Sequence, residues 1–390
     1  MSSSSSRIAG TEGVVLDRLF FYGTLCHVPL LARVLDRPEA DLVLTPARLA
    51  DHAVRWVAGE SFPMIRPQPG ALAEGGCLEG VDAGARARLD YYEGGYGYAL
   101  ADVTVETAAG PRAAQVYLPR CPAPQAGATW NLAEWQARWG EIVTLAAEEV
   151  MLGYPGRDPA VHARRYRMIL ARAAARIRAR EPSPATLRRP MRPDDIEEFA
   201  RSQPYANFFA VEEYDFRHRR FDGAWSPAVN RAAFFTADAA TVLPYDPARD
   251  AVLLIEQFRV GPYGRGDSEC WSLEAIAGLI DPGETPETTV RREAVEEAGI
   301  TLGPLHRVYG YYPSPGAKTE FIYSFVAEAD LPEGTGGLGG LAAEDEDIRA
   351  HVVPLARALE LVETGEIGNA PLILSLLWLA RNRERLRASG

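Results

Sequence analysis

The sequence predicts an α+β protein of more than one domain, and three observations carry that prediction. The chain has 390 residues, more than one hydrophobic core ordinarily serves. Residues 17 to about 119 alternate short apolar runs with Gly and Pro turns, the pattern of a small β-rich domain. From about residue 200 onward, strand patterns such as AATVLPYD, AVLLIEQFRV and EFIYSFVAEA are mixed with helical ones. Between these regions, residues 131–153 and 160–181 read as helices separated by Pro155, Gly156 and Pro159. The four-proline stretch 181–195 reads as a linker. The expected organisation is a disordered tail over 1–16, a β-rich domain over 17–125, a helical connector and linker over 126–200, and a second domain over 201–390.

Charge and composition narrow the function. A net charge of -12 argues against a general nucleic-acid binder, which needs a basic footprint. Cys26, Cys77, Cys121 and Cys270 are scattered without a C-x-x-C spacing, so neither a zinc site nor a disulfide framework is implied. The N-terminal MSSSSSRIAGTEG has no apolar h-region, and no run of 18 apolar residues exists. The expectation is a cytoplasmic protein with neither membrane nor nucleic acid as partner. The second connector helix carries seven arginines between Arg164 and Arg180. Its expected packing puts Tyr166, Ile169, Leu170 and Ile177 inward and the arginines in water.

The most informative stretch is GLIDPGETPETTVRREAVEEAGI, residues 278–300. Thr285 followed by Pro286 makes a helix start, and Gly299 makes a stop, so a helix is expected over about 286–298. Glu293, Glu296 and Glu297 then fall at i, i+3 and i+4 on one face. They crowd the C-terminal turns, where the helix dipole already disfavours negative charge. A local rule broken this openly marks a functional site, and a hard divalent cation with carboxylate ligands would repair it. The pattern G-x5-E-x7-R-E-U-x-E-E-x-G-U, where U is bulky or apolar, is met at every fixed position: Gly278, Glu284, Arg292, Glu293, Glu296, Glu297 and Gly299. The departure is the small Ala294 at the first U. A chance match of the seven is on the order of one in 10⁵ or rarer.

This stretch resembles the Nudix box, the metal-binding signature of enzymes that hydrolyse nucleoside diphosphates linked to another moiety. Residues 207–380 resemble the bacterial ADP-ribose pyrophosphatase branch of that family, through YDFRHRRFDG (214–223), WSLEAIAG (271–278), SPGAKTE (314–320) and EDEDIRAHVV (344–353). Pro315, sixteen residues after Gly299, stands where this branch carries a proline linked to ADP-ribose preference. The resemblance implies an α/β/α sandwich with a mixed sheet. It also implies metal ligands at Glu293, Glu297, Glu346 and the Ala277 carbonyl, with Glu296 beside them. Glu344 would be the general base, Arg292 would orient the box, and Glu284 would be a support. The Gly-rich 334–340 segment would be flexible enough to let the acidic loop close over substrate. Mg²⁺ is the expected cofactor, with Mn²⁺ as an alternative. Arg231 and Arg259 are the candidate nucleotide contacts, and a homodimer swapping the strand around Tyr214 to Phe221 is expected. Around Arg231 the chain reads NRAAFF, without the acidic residue that relatives tend to carry soon after the Arg.

In the N-terminal half, FFYGTL (20–25), FPMIRPQPGALAEGGCLEGV (62–81) and LDYYEGGYGYALADVTV (89–105) together resemble the γ-glutamylcyclotransferase-like family. That resemblance implies a mixed β-barrel. Tyr22, Gly23, Thr24 and Leu25 would offer backbone N–H groups to a substrate carboxylate, and Glu93 would be the general acid/base that closes 5-oxoproline. The fusion of the two halves resembles two-domain bacterial proteins described as tellurite-resistance associated. The expected activity is Mg-dependent cleavage of ADP-ribose or a related nucleoside diphosphate sugar. The alternatives are a GDP-sugar substrate, an ADP-ribose sensor without turnover, or a cyclotransferase regulated by the Nudix half.

Overall fold

In the computed structural model, residues 17–119, 125–341 and 346–388 are described. The chain divides into two compact units, Met1–Tyr166 and Arg167–Gly390. The N-terminal tail expected to be disordered, residues 1–16, lies outside the described residues.

The first unit runs β1 (Leu19–Phe21), α1 (Val28–Leu35), β2 (Leu44–Val57), β3 (Pro63–Leu78), α2 (Ala83–Gly94), β4 (Tyr98–Thr107), β5 (Gly110–Pro119), β6 (Ala126–Thr129), α3 (Leu132–Trp135), α4 (Glu141–Met151) and α5 (Pro159–Arg164). The strand order β3-β1-β5-β4-β2 closes on itself through a β2–β3 pairing, with β6 added at the edge of β2. Only β1–β5 is parallel, so the barrel is mixed. Its interior is Phe20, Leu49, Ile65, Ala73, Val105, Ala114 and Val116, all buried. Closure abolishes exposed sheet edges around the barrel, and it places the loop after β1 against the helices.

The second unit begins within α6 (Tyr166–Arg178), whose first residue belongs to the first unit. A three-stranded antiparallel sheet follows, built from β7 (Ile196–Ala206), β8 (Ala210–His218) and β9 (Val229–Phe235), with β8 central. The main sheet combines β10 (Ala239–Asp246), β11 (Ala251–Phe258), then after α7 (Val260–Arg265) the short β12 (Trp271–Glu274) and β13 (Ile276–Leu279). It continues after α8 (Pro286–Ala298) with β14 (Leu305–Tyr311), β15 (Ile322–Glu328), β16 (Gly337–Gly339) and β17 (Ile348–Pro354), and α9 (Leu355–Thr364) and α10 (Ala370–Ala388) close the chain. The path is β14-β15-β10-β11-β17-β16, parallel at β10–β15 and otherwise antiparallel.

Both sheet faces are covered, so β10 and β11 are apolar on both sides. Val242, Leu253 and Ile255 pack toward Val290 and Ala294 of α8. Leu243, Val252 and Leu254 alternate to the other face and meet Leu372, Leu376 and Leu379 of α10. This is the α/β/α sandwich with a mixed sheet.

Two expectations need correction. The arginines of the connector are not simply solvated. Arg172 is fully buried, and its Nη1 donates to the Phe208 carbonyl at 3.2 Å. Arg176 reaches Glu212 at 3.3 Å, and Arg178 reaches Asp238 at 2.8 Å. In the first unit, Arg165 pairs with buried Glu149 at 2.7 Å. Buried carboxylates in the opposing elements draw the Arg165, Arg176 and Arg178 guanidinium groups inward, because a buried acceptor that loses its charged donor costs about 1–3 kcal/mol. Periodicity within the helix carries no information about those partners. Second, the strand read as Tyr214–Phe221 stops at His218, and Phe221 lies in a tight turn at Arg220–Gly223, where Gly223 takes φ +85.

The buried pairs set a measurable cost. Arg176→Met and Arg178→Met should each destabilise the second unit by about 1–3 kcal/mol in denaturant unfolding. Solvated arginines would give a change near zero.

Candidate functional site

The carboxylate cluster of the second unit is assembled by the ends of α8. The Thr285 hydroxyl accepts the Thr288 N–H, the Thr288 side chain accepts the Thr285 N–H, and Pro286 takes the first turn. Gly299 ends the helix at φ +64. This length leaves Glu293, Glu296 and Glu297 on one face.

Each carboxylate is held differently. Glu297 is 2% exposed, and its Oε2 accepts the Ala277 N–H of β13 at 3.3 Å. Glu293 lies against Gly278: a Cβ built there would sit 1.7 Å from Glu293 Oε1, so only glycine leaves room. Arg292 donates to Glu293 Oε1 and Glu296 Oε2, each at 2.8 Å. It also donates to the two oxygens of Glu284 at 3.0 and 3.2 Å. Glu284 accepts the Thr289 hydroxyl at 2.8 Å as well, and so acts as a brace for the arginine. These charge-assisted bonds fix the rotamers on the helix face.

The electrostatics point to missing positive charge. Burial pushes the Glu297 carboxyl up to about 9, with the charges of Glu293 and Glu346 adding to it. Burial likewise pushes Glu293 up to about 7, against the pull of Arg292 and with the push of Glu296 and Glu346. Oxygen-only donors in this state suit a hard divalent cation, whose charge would favour the ionised forms. Among the described residues no three acidic, imidazole or thiol groups already converge as a metal cage. Arg292 engages Glu293 and Glu296, and Glu346 Oε2 accepts the Leu341 N–H at 3.1 Å. Glu344 falls in 342–345, outside the described residues.

The Gly-rich segment before that loop is packed, contrary to the flexibility expected of it. Gly337–Gly339 forms β16 against β17, and Gly340 donates to the Glu296 carbonyl at 3.2 Å. A Cβ at Gly339 would lie 2.0 Å from the Glu297 carbonyl. Glycine here permits close approach to the end of α8.

The remaining candidates in this unit are spread out. Arg259, at the end of β11, pairs with Glu274 at 2.8–3.0 Å. Burial opposes its charge, but Glu274, then Glu297 and Glu346, hold its pKa above the ordinary arginine value, which places it beside the cluster. Arg231 is exposed on β9, with its Nη1 on the Asn230 carbonyl at 2.8 Å. Pro315 occupies an exposed turn whose Ala317 carbonyl accepts the Phe234 N–H of β9 at 2.7 Å. Among the described residues, neither Arg231 nor Pro315 hydrogen bonds to the α8 carboxylates.

The first unit carries its own cavity, with a volume of ≈ 70 Å³. Tyr22, Gly23, Thr24, Leu25 and Glu93 all line it. Gly23 is needed by contact, since a Cβ there would meet Pro63 Cγ at 2.8 Å. Sequence reasoning singled out Glu93 but missed its surroundings: Tyr92, Tyr96, Tyr98, Tyr117 and Tyr166 complete the wall. The run YYEGGYGY signalled the first three; Tyr117 and Tyr166 arrive only by folding. Burial pushes the Glu93 carboxyl up to about 7. Burial raises the Tyr98 hydroxyl to about 12, with the Glu93 charge adding to it. The cavity thus holds one acid able to exchange a proton near neutrality, among phenols that stay protonated.

Known proteins resemble both units. Residues 236–376 match the family described as NUDIX domain, and residues 19–137 match Gamma-glutamyl cyclotransferase, AIG2-like. An ADP-ribose pyrophosphatase of Escherichia coli K12 is 42% identical over 194 residues, covering 50% of this chain and 92% of that protein. One from Haemophilus influenzae is 37% identical over 197 residues, covering 50% and 90%. A GDP-mannose pyrophosphatase of Escherichia coli HS is 35% identical over 173 residues, covering 44% and 88%. With such relatives matched over nearly their whole length, on a chain that meets every fixed position of the box, this chain belongs to the Nudix family.

Proposed function

We propose that the second unit hydrolyses the diphosphate of a nucleoside diphosphate sugar, with ADP-ribose the first candidate. The observation that carries this reading is the Glu293–Glu297 pair on α8, partly and fully buried, whose carboxyls burial and mutual repulsion push up to about 7 and about 9 despite Arg292. The ADP-ribose pyrophosphatase relatives support the substrate class, and the GDP-mannose pyrophosphatase relative keeps a GDP-sugar as the second candidate.

Nudix hydrolases generally use divalent metal ions, and Mg²⁺ is proposed here, with Mn²⁺ as the alternative. Glu293, Glu297, Glu346 and the Ala277 carbonyl would hold it. When bound, the ion supplies charge neutralisation at the diphosphate and a more acidic water. The chain's own residues do the rest. Arg292 fixes Glu293 and Glu296, Gly278 leaves space for Glu293, and the Ala277 N–H positions Glu297. Glu344 is proposed as the base that takes a proton from water. The water oxygen bonds to phosphorus as the bridging P–O bond breaks, giving AMP and ribose 5-phosphate from ADP-ribose. Arg259, Arg231 and Pro315 are proposed to border the nucleotide.

A homodimer through this unit is proposed as well. Exposed Ile196, Phe199, Tyr205 and Phe208 leave apolar surface on and beside the β7–β9 sheet, the kind of patch that marks an interface. For the first unit, γ-glutamyl cyclotransferase activity is proposed, with Glu93 as acid/base and the Tyr22–Leu25 turn as the carboxylate holder. The tyrosine-lined position of Glu93 supports this second reading.

Three outcomes are expected. Glu297→Gln should lower Mg²⁺-dependent AMP release from ADP-ribose by at least about 100-fold with an unchanged circular dichroism spectrum; retained activity would remove the metal-site assignment. Phe199→Ser with Phe208→Ser should shift the mass measured by light scattering from dimer to monomer. Glu93→Gln should abolish 5-oxoproline release from γ-glutamyl peptides. It should also change the pH dependence of stability. The raised pKa of Glu93 means that its destabilising effect is absent below about pH 4.5 and grows as pH rises to about 7. The variant should therefore gain stability over the parent at pH 8, by up to about 3 kcal/mol before screening at the cavity mouth, and lose that gain at pH 4.

A further inference from the structure

A second, larger cavity in the first unit has no role in either reading. It lies between the β2–β3 hairpin and the segment 129–133, with a volume of ≈ 780 Å³, the range of small-molecule sites. The ≈ 70 Å³ cavity beside Glu93 holds only a few atoms. Tyr22 lines both cavities and is pinned by its hydroxyl on the Tyr117 carbonyl at 3.2 Å.

The large cavity contains a cation that pairs with no acid directly. Arg55 of β2 lines it, with Nη1 on the Thr129 hydroxyl at 2.7 Å. Its Nε is buried without a hydrogen-bond partner, and Arg55 makes no ion pair among the described residues. The guanidinium keeps N–H donors beyond the one on Thr129, so a carboxylate in the cavity has a charged donor to bond. The surroundings select the acceptor. Trp130, braced by its N–H on the Val54 carbonyl at 3.2 Å and by Trp56 at 4.5 Å between ring centroids, offers an apolar wall. Gln68 adds an amide. Glu74 on the same lining disfavours a dianion such as a phosphate monoester.

We propose that this cavity binds the C-terminal carboxylate of a short peptide or amino acid, with Arg55 as its counter-ion. In the cyclotransferase reading, on which this extension rests, the site receives the amino-acid side of a γ-glutamyl peptide. The glutamyl end then enters the small cavity across Tyr22. The unit would therefore select γ-glutamyl peptides over γ-glutamyl amines that lack a carboxylate.

The test is a ligand-observed NMR titration of the full chain with triglycine and with triglycine amide. The carboxylate form should bind at least about tenfold more tightly. Arg55→Met should remove that preference, and Arg55→Lys, which keeps charge but loses the planar fork, should retain part of it. Equal affinity for the two probes, no binding of either, or an unchanged preference in Arg55→Met would overturn the proposal. An Arg55→Met protein that does not fold leaves Arg55→Lys and the two-probe comparison on the parent to decide. Release of 5-oxoproline is measured separately. Its absence alongside an intact carboxylate preference would remove the cyclotransferase reading alone.

Discussion

One guanidinium organises the carboxylate face of the second unit. Arg292 bonds Glu284, Glu293 and Glu296 together, so three carboxylates share a single fixed geometry on and before α8. Without it, like charges at i, i+3 and i+4 would repel at the negative end of the helix dipole. Arg292 does not bond Glu297, whose buried carboxyl is pushed up to about 9, and the acidic residues sit where helix physics disfavours them. Gly278 and Gly339 serve the same arrangement by letting neighbouring backbone approach where a Cβ would collide with Glu293 or with the Glu297 carbonyl.

The second unit extends beyond its box. The connector helix contributes Arg172, Arg176 and Arg178 to the neighbourhood of the β7–β9 sheet and Asp238, and Arg167 reaches Asp281 at 2.9 Å, just ahead of Glu284. A segment that reads as a spacer is thereby part of the folded unit. Its arginines act as specific counter-ions, since Glu212 is wholly buried and a lone buried carboxylate is expensive.

The first unit uses a different device. One carboxyl, Glu93, is set instead among aromatic rings that exclude water, and burial alone raises its affinity for a proton. The second unit groups several carboxylates on one helix face, whereas the first holds a single carboxyl whose pKa burial pushes up to about 7.

The α8 face was legible from the sequence because its elements are local. Thr285, Pro286 and Gly299 set the helix limits, and a 3.6-residue period sets which glutamates share a side. The apolar runs of β10 and β11 likewise read as strands, and the fold buries both of their faces. What required tertiary structure were contacts between residues far apart in the chain: Ala277 on Glu297, Tyr117 and Tyr166 around Glu93, Arg176 on Glu212, and Arg55 opposite Thr129. Helical and strand periods describe neighbours within one element. Which distant carboxylate an arginine meets, and how far burial moves a carboxyl's proton affinity, depends on how elements pack, so those features emerged only with the fold.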